Sequence, residues 1–407
     1  MNVLVITPYY APDLGPSAPM FALLSEELVL RGHAVTVLCA VPHFPSGHVP
    51  AEYRHGLWTW ESQNGVQVCR VRVPSGDRAN LFHRLWVFLV YQWLSTLAGL
   101  RLRYDAALIT NPAIETFLPF LVLCSLRRKP CLYAVWDVYP EVGVRMGLFK
   151  NQTVIRLVGL LEDFCLRRAA RIQVLGAGFL SDLASHRIAP DLITVIPHWL
   201  DTALIRPLPR LNSFSHEHGL DECFVVQYAG NLGLSQGLET VLETARILKE
   251  QSDVLFLFVG EGAGRSQLQE QAVALNNVRF LPFQPRERLP EALACADVSL
   301  VVLKQGIGSA SLPSKLFSIL ASGRPVLASV DESSDTCKLV NSSQAGLCVE
   351  PENPSQLAEA ILSLHDDPSR RAKMGDNGRA WAEKYHSSQS AAERFEDVFM
   401  SIMGGAK

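Results

Sequence analysis

The chain has 407 residues, 48% of them hydrophobic and 19% charged, which is enough apolar material for two or three buried cores and excludes a disordered chain. The formal net charge of −3 excludes a polyanion binder that works by bulk charge, so no nucleic-acid partner is expected. Residues 1–205 carry 18 Lys and Arg against 15 Asp and Glu, whereas residues 206–407 carry 19 against 25. Either the first half faces an anionic surface or substrate, or the difference is a fluctuation. Nine cysteines form no CxxC pair, and Cys39, Cys69 and Cys131 sit inside apolar runs. That usage fits buried free thiols in a reducing, cytoplasmic compartment. The opening MNVLVITPYY has no basic run before its apolar stretch, so no signal peptide is expected.

In chain order, the first strand is expected at 2–6. The loop YYAPDLGPSAP leads from it into a helix that starts near Met20. Gly15 lets backbone approach a ligand, and a helix start offers unpaired N–H groups, so Gly15, Pro16 and Ser17 are candidates for contacting a phosphate. A strand at 34–38 precedes His43, an acceptor-side candidate, and another strand is expected at 66–73. Residues 85–100, LWVFLVYQWLSTLAGL, are too short and interrupted for a span of ~20 apolar residues. They read either as a helix lying in a membrane interface or as a buried helix of the first domain. Strands follow at 105–110 and 130–135. Asp137 sits at the end of the latter and Glu141 four residues on. Asp137 at a strand's carboxyl end suits a base or an acceptor-orienting group, and equally suits a helix cap. Glu141 joins His43 as an acceptor-side candidate.

Strands at 171–175 and 193–197 close this series, and residues 200–222, rich in Pro, Asn, Ser and Gly, read as a linker. The second series opens with a strand at 223–229 that runs into Gly230-Asn231-Leu232-Gly233-Leu234-Ser235-Gln236-Gly237. Gly230, Asn231, Gly233 and Gln236 at a strand-to-helix junction suit a diphosphate. The helix at 238–248 aligns Leu238, Val241, Leu242, Ala245 and Leu248 on one face. The strand at 254–259 ends in Gly260, Glu261 and Gly262, which read as ligand contacts or as a tight turn. The strand at 278–281 places Phe283 where a base can lie. Beyond strand 297–302, Leu312, Ser314 and Lys315 mark a helix start, where a lysine can neutralise a leaving diphosphate. Strands at 325–329 and 346–349 and a helix over about 377–403 complete the chain.

Runs apolar on both faces, such as VLVI and VLFLFV, mark parallel strands covered by helices on both sides. The fold class is therefore α/β: two Rossmann-like domains, 1–205 and 206–376, facing a central cleft. The segment 377–407 is expected to cross back to the first domain.

Taken together, RGHAVTV, VIPHWLD, YAGNLG…GLE, FVGEGAGR, VRFLPF, ACADVSLVV and ILASGRPVLAS resemble glycosyltransferase family 4, with its GT-B fold, over nearly the whole chain. Asp137-Val138-Tyr139-Pro140-Glu141 and Pro313-Ser314-Lys315 are most similar to the bacterial transferases that build exopolysaccharide and O-antigen units. The resemblance implies retaining transfer without a metal or other cofactor, from a nucleoside diphosphate sugar to a saccharide or lipid-linked acceptor, with peripheral contact at the inner membrane face. It implies that Gly15 approaches the donor phosphate, that Lys315 stabilises the leaving diphosphate, and that Gly260–Gly262 and Phe283 surround the nucleotide. Five positions depart from the family pattern. Asn231 and Gln236 stand where Arg and Lys are usual, Ala310 and Ser318 replace a Glu pair, and Trp136 replaces a histidine beside Asp137. A nucleotide-sugar 2-epimerase and a non-catalytic nucleotide-sugar-binding subunit are the alternatives.

Overall fold

The structure, a computed structural model, describes every residue except 16, 79, 146–148, 150, 234–235, 307–311 and 405–407. Pro16 and Ala310 lie outside the described residues. The chain divides into two compact units, Met1–Pro197 with Ser388–Lys407, and His198–Ser387. The expected division after residue 205 thus falls after Pro197.

In the first unit the described residues form one eight-stranded sheet from β1 (Asn2–Ile6), β2 (Ala34–Ala40), β3 (Trp58–Gln63), β4 (Val66–Val71), β5 (Ala106–Thr110), β6 (Cys131–Val135), β7 (Arg171–Val174) and β8 (Ile193–Val195). The order is β3-β4-β2-β1-β5-β6-β7-β8. All pairings are parallel except β3 with β4. The central strands are buried along their length, because helices cover both faces and leave no room for alternation.

β3 was not anticipated. Its sequence WTWESQ is a half-exposed edge strand with no apolar run. It is tied down by Arg70 of β4, whose side chain is fully buried and whose Nε donates to Glu61 Oε1 of β3 at 2.6 Å. A buried guanidinium needs such a counter-ion. The helix Ala18–Leu30 starts two residues before the expected Met20. The helix Ser388–Gly404 is anchored to the same unit at the end of that helix. Arg31 meets Glu396 at 2.6 Å, His33 meets the same carboxylate at 2.9 Å, and Ser388 Oγ donates to Glu27 at 2.9 Å.

In the second unit β9 (Phe224–Ala229), β10 (Val254–Val259), β11 (Val278–Leu281), β12 (Val298–Val302), β13 (Val326–Ser329) and β14 (Gly346–Val349) form a parallel sheet in the order β11-β10-β9-β12-β13-β14. Residues 200–222, expected as a linker, are part of this unit. Three arginines hold the segment by its carbonyls. Arg210 pairs with Asp297 at 3.1 Å and donates to Leu220 O at 2.8 Å, and Arg324 donates to Leu208 O at 2.7 Å. Arg379 donates to Thr202 O at 2.9 Å, Ile205 O at 2.8 Å and Ala321 O at 2.9 Å. Loop composition revealed flexible backbone preferences, not these distant partners. The helix expected over 377–403 is two, Pro368–His386 and Ser388–Gly404, separated by Ser387 in an extended conformation.

Arg379→Ala strands three carbonyls at once. A charged hydrogen bond is worth about 1.5–3 kcal/mol, so the loss should reach at least about 2 kcal/mol. Thermal unfolding of the variant should show a midpoint lower by roughly 5 °C.

Candidate active site

In the second unit, the carboxyl ends of β9 and β10 carry the glycine loops. A Cβ on Gly260 would sit 1.9 Å from Gly230 O, and one on Gly262 would sit 2.5 Å from Leu232 O. Both glycines have positive φ, 151° and 158°. Their smallness therefore lets two backbones touch. Hydrogen bonds lock the contact: Leu232 N–H donates to Glu261 O at 2.8 Å, and Gly264 N–H donates to Leu232 O at 2.8 Å. Glu261 itself is engaged by Arg265. Asn231 O accepts from Tyr228 Oη at 2.9 Å, and Gly233 lies against the Asn231 side chain.

Lys315 stands over this platform, in the first turn of the helix Ser314–Ala321, whose start has no side-chain cap. Its Cε lies 3.4 Å and its Nζ 3.6 Å from where a Gly230 Cβ would be. Nζ donates to Gln236 Oε1 at 3.0 Å and to Tyr228 Oη, and it sits 4.0 Å from the centre of the Tyr228 ring. Among the described residues, only neutral groups receive it. Burial pulls the lysine pKa down to about 7. Gln236 is therefore a lysine holder, and Tyr228, a β9 residue that sequence reasoning passed over as core, completes the triangle. Ser314 is exposed, and Leu312 and Ser318 are half-buried. Phe283, at the end of β11, is 69% exposed, a free ring face beside the glycine platform's strand.

In the first unit, a residue missed in the sequence organises the loop after β1. The buried Asp13 carboxylate accepts from Gly15 N–H and from His43 N–H, each at 2.9 Å. Gly15 thus already spends its N–H on Asp13. Its smallness makes room for the Tyr9 ring, since a Cβ would lie 2.5 Å from that ring. Ser17 is the N-cap residue of the helix Ala18–Leu30 and makes no side-chain cap bond. His43 is buried, and its Nδ1 faces Val41 O at 2.9 Å. Burial lowers its pKa despite that hydrogen bond and the nearby Asp13, which favours the neutral imidazole.

Asp137 follows β6 and is exposed. Its side chain meets solvent, yet the surrounding protein withholds enough water to raise its carboxyl pKa. Asn111, at the end of β5, fixes this turn. Its Nδ2 donates to Asp137 O, and its Oδ1 accepts from Trp136 N–H at 3.0 Å. Trp136 is stacked on Phe21 at 4.8 Å and donates from Nε1 to Gln173 at 2.9 Å, a packing role. Glu141 is turned to His186 at 3.5 Å rather than to Asp137. Glu115, in the first turn of the helix Ala113–Pro119, was also missed. Burial pushes its carboxyl up to about 7, against the pull of Arg78 and Arg84. The strand-end rule that picked out Asp137 applies equally to this helix after β5. Among the described residues, no three His, Cys, Asp or Glu gather as a metal-ligand group.

Two family models match, one on each unit: the glycosyl transferase 4-like domain over residues 17–199 and glycosyl transferases group 1 over residues 213–381. The chain belongs to the family 4 glycosyltransferases. A relative named as a colanic acid biosynthesis glycosyl transferase, WcaI of Escherichia coli K12, is 26% identical over 89% of this chain and 91% of its own. Among solved structures, sucrose-phosphate synthase from Thermosynechococcus elongatus shares the fold, with a TM-score of 0.70 at 18% identity over 99% of both chains. Anabaena HepE in complex with UDP-glucose shares it with a TM-score of 0.67 at 17% identity over 98% of this chain and 100% of that one. The α/β class with two Rossmann-like domains, expected from strand–helix alternation and doubly apolar strands, is thereby shown. The chain is a glycosyltransferase.

The depressed Lys315 gives a pH signature. Above about pH 7 the free lysine is neutral, and a diphosphate favours its charged form, so binding takes up a proton. Affinity for a nucleoside diphosphate should fall between pH 7 and 9, by up to about tenfold per pH unit. Titration calorimetry at pH 8 in buffers of different ionisation enthalpy should register the uptake, and Lys315→Arg should abolish it.

Proposed function

We propose that this glycosyltransferase moves a sugar, with retention at the anomeric carbon and without a metal, from a nucleoside diphosphate sugar to a saccharide or lipid-linked acceptor in cell-surface polysaccharide synthesis. The observation that carries the donor half is Lys315, a cation held by neutral oxygens above two fused glycine loops. As the bond between the anomeric carbon and the phosphate oxygen breaks, negative charge gathers on the diphosphate. A desolvated ammonium with no carboxylate partner among the described residues is pre-organised to meet that charge. Asn231, Gly233 and the start of the Ser314–Ala321 helix would contribute N–H groups, whereas Gly230 spends its N–H on Val259 O at 2.9 Å and contributes its smallness. Phe283 would stack on the base, and Gly15, Ser17 and Glu261 are further donor candidates.

Asp137 is assigned as the acceptor-orienting group or base, with His43 and Glu141 on the acceptor side. Its raised pKa suits a group that handles a proton. The name of the E. coli relative supports the polysaccharide assignment. The nine free thiols support a cytoplasmic site of action. No helix among the described residues is long and apolar enough to cross a membrane, so contact with a lipid-linked acceptor would be peripheral.

A thermal-shift screen against UDP, GDP, ADP and CMP and their sugars, with and without Mg²⁺, tests the reading. A saturating ligand at 100 times its Kd stabilises by about 2.7 kcal/mol. A metal-independent shift with one diphosphate supports the proposal, and a free epimerised sugar as the product would replace it with an epimerase. Lys315→Ala should cut turnover by roughly 10²–10³, the effect of losing one transition-state donor. Asp137→Asn should lose turnover while keeping donor affinity in the same thermal-shift assay, and a collapse of donor affinity would place Asp137 in the nucleotide site.

A further inference from the structure

The helix Leu81–Gly99 buries one face against the first unit's core and leaves the other bare. Phe82, Trp86, Leu89, Trp93, Leu97 and Leu100 recur at helical spacing and are all exposed, Phe82 at 84%, Trp86 at 56% and Trp93 at 60%. A contiguous stripe of this kind marks an interaction surface. Arg101 and Arg103 follow the stripe at its carboxyl end, whereas Arg78 and Arg84 turn inward, Arg78 to Tyr9 Oη and both towards Glu115. Apolar side chains with tryptophans, ending in two arginines and adjoining a basic cavity, match the interface of an anionic membrane rather than a protein partner.

Beside the stripe lies a cavity of about 380 Å³, within the range of ~300–1,000 Å³ usual for small-ligand sites. Val73, Trp86, Val90 and Leu94 form its apolar wall, and Arg54 and Arg72 line it as well. Arg54 Nε is fixed by donating to Val49 O at 2.9 Å. Trp86 belongs to both features, so the cavity opens where the stripe would meet a bilayer.

We propose that this cavity takes one apolar chain of an anionic membrane lipid, with the lipid phosphate at Arg54 and Arg72, while the stripe of the Leu81–Gly99 helix lies in the interface. The site goes beyond the transfer reaction and uses none of the residues assigned to it. Burial of the chain would hold the enzyme at the surface, and the arginines would select lipids bearing a phosphate negative charge.

Flotation of the full chain with vesicles of phosphatidylcholine, alone or with phosphatidylglycerol, tests the proposal. Binding should require phosphatidylglycerol. Arg72→Glu and Arg54→Glu should each weaken it by about tenfold, and Val90→Trp, which fills the cavity, should weaken it comparably. The thermal shift with nucleoside diphosphates should stay unchanged in all three, which separates this site from the donor reading and certifies the fold. If Val90→Trp folds poorly, the two exposed arginines decide. Equal binding to both vesicle types, or binding untouched by all three substitutions, would overturn the proposal. So would a dimer in sedimentation that Trp93→Ser dissociates and that never floats with vesicles, because the stripe would then be covered by a second copy.

Discussion

Two backbones meet in the second unit where no side chain fits: Gly260 lies so close to Gly230 O that a single methyl group could not be placed there. That contact is possible because β9 and β10 pair in parallel along their whole length, bringing their carboxyl-end loops side by side. Hydrogen bonds between Leu232, Glu261 and Gly264 convert the contact into a rigid floor. Lys315 can then be delivered to a fixed height above Gly230 from the start of a separate helix. The glycines thus serve the site by fusing two loops, in addition to any approach to a ligand.

The floor gives a physical account of Gln236, one of the residues that set this chain apart from its family pattern. A cation at position 236 would lie against Lys315, and two desolvated like charges would raise the cost of either. Gln236 supplies a neutral oxygen instead and, with Tyr228, holds the ammonium without neutralising it. Desolvation makes that charge expensive when the site is empty and strongly attractive to an anion when it is filled. In the proposed reaction, one well-placed lysine would do what a more basic loop would do elsewhere in the family.

The first unit follows a different rule, in which buried polar hubs pin strand-end loops. Asp13 ties the loop after β1 to the loop after β2, and Arg70 reaches the carbonyls of Tyr10 and Ala11 from β4 while drawing Glu61 onto the sheet edge. Asn111 joins the ends of β5 and β6, and the buried Glu162 accepts from Ala113 N–H at 2.8 Å and from Tyr133 Oη at 2.9 Å. Burial pushes the Glu162 carboxyl up to about 7, against the hydrogen bonds that favour its charge. Each hub is a group whose desolvation is tolerable only while its partners stay in place, so the loops are held in one arrangement.

Apolar runs alone specified the central strands, because a strand buried on both faces needs no alternation and leaves an unbroken signature, as in Val3–Ile6 and Val254–Val259. The glycine pairs were legible too, because they close strands, and so was Lys315, because it stands between a polar Gly/Ser loop and an apolar helix. Tyr228, Asp13 and Glu115 were not. As sequence they are a core aromatic and two ordinary carboxylates, and their roles come from Lys315, His43 and Arg78, which lie 87, 30 and 37 positions away in the chain. The linker composition of residues 200–222 and the polar strand Trp58–Gln63 misled for the same reason: arginines distant in sequence dock the first, and Arg70 of the neighbouring strand anchors the second. Periodicity is local and can be read along a chain. The partner of a buried polar group is set by which segments the sheet order brings together, and only the tertiary structure decides that.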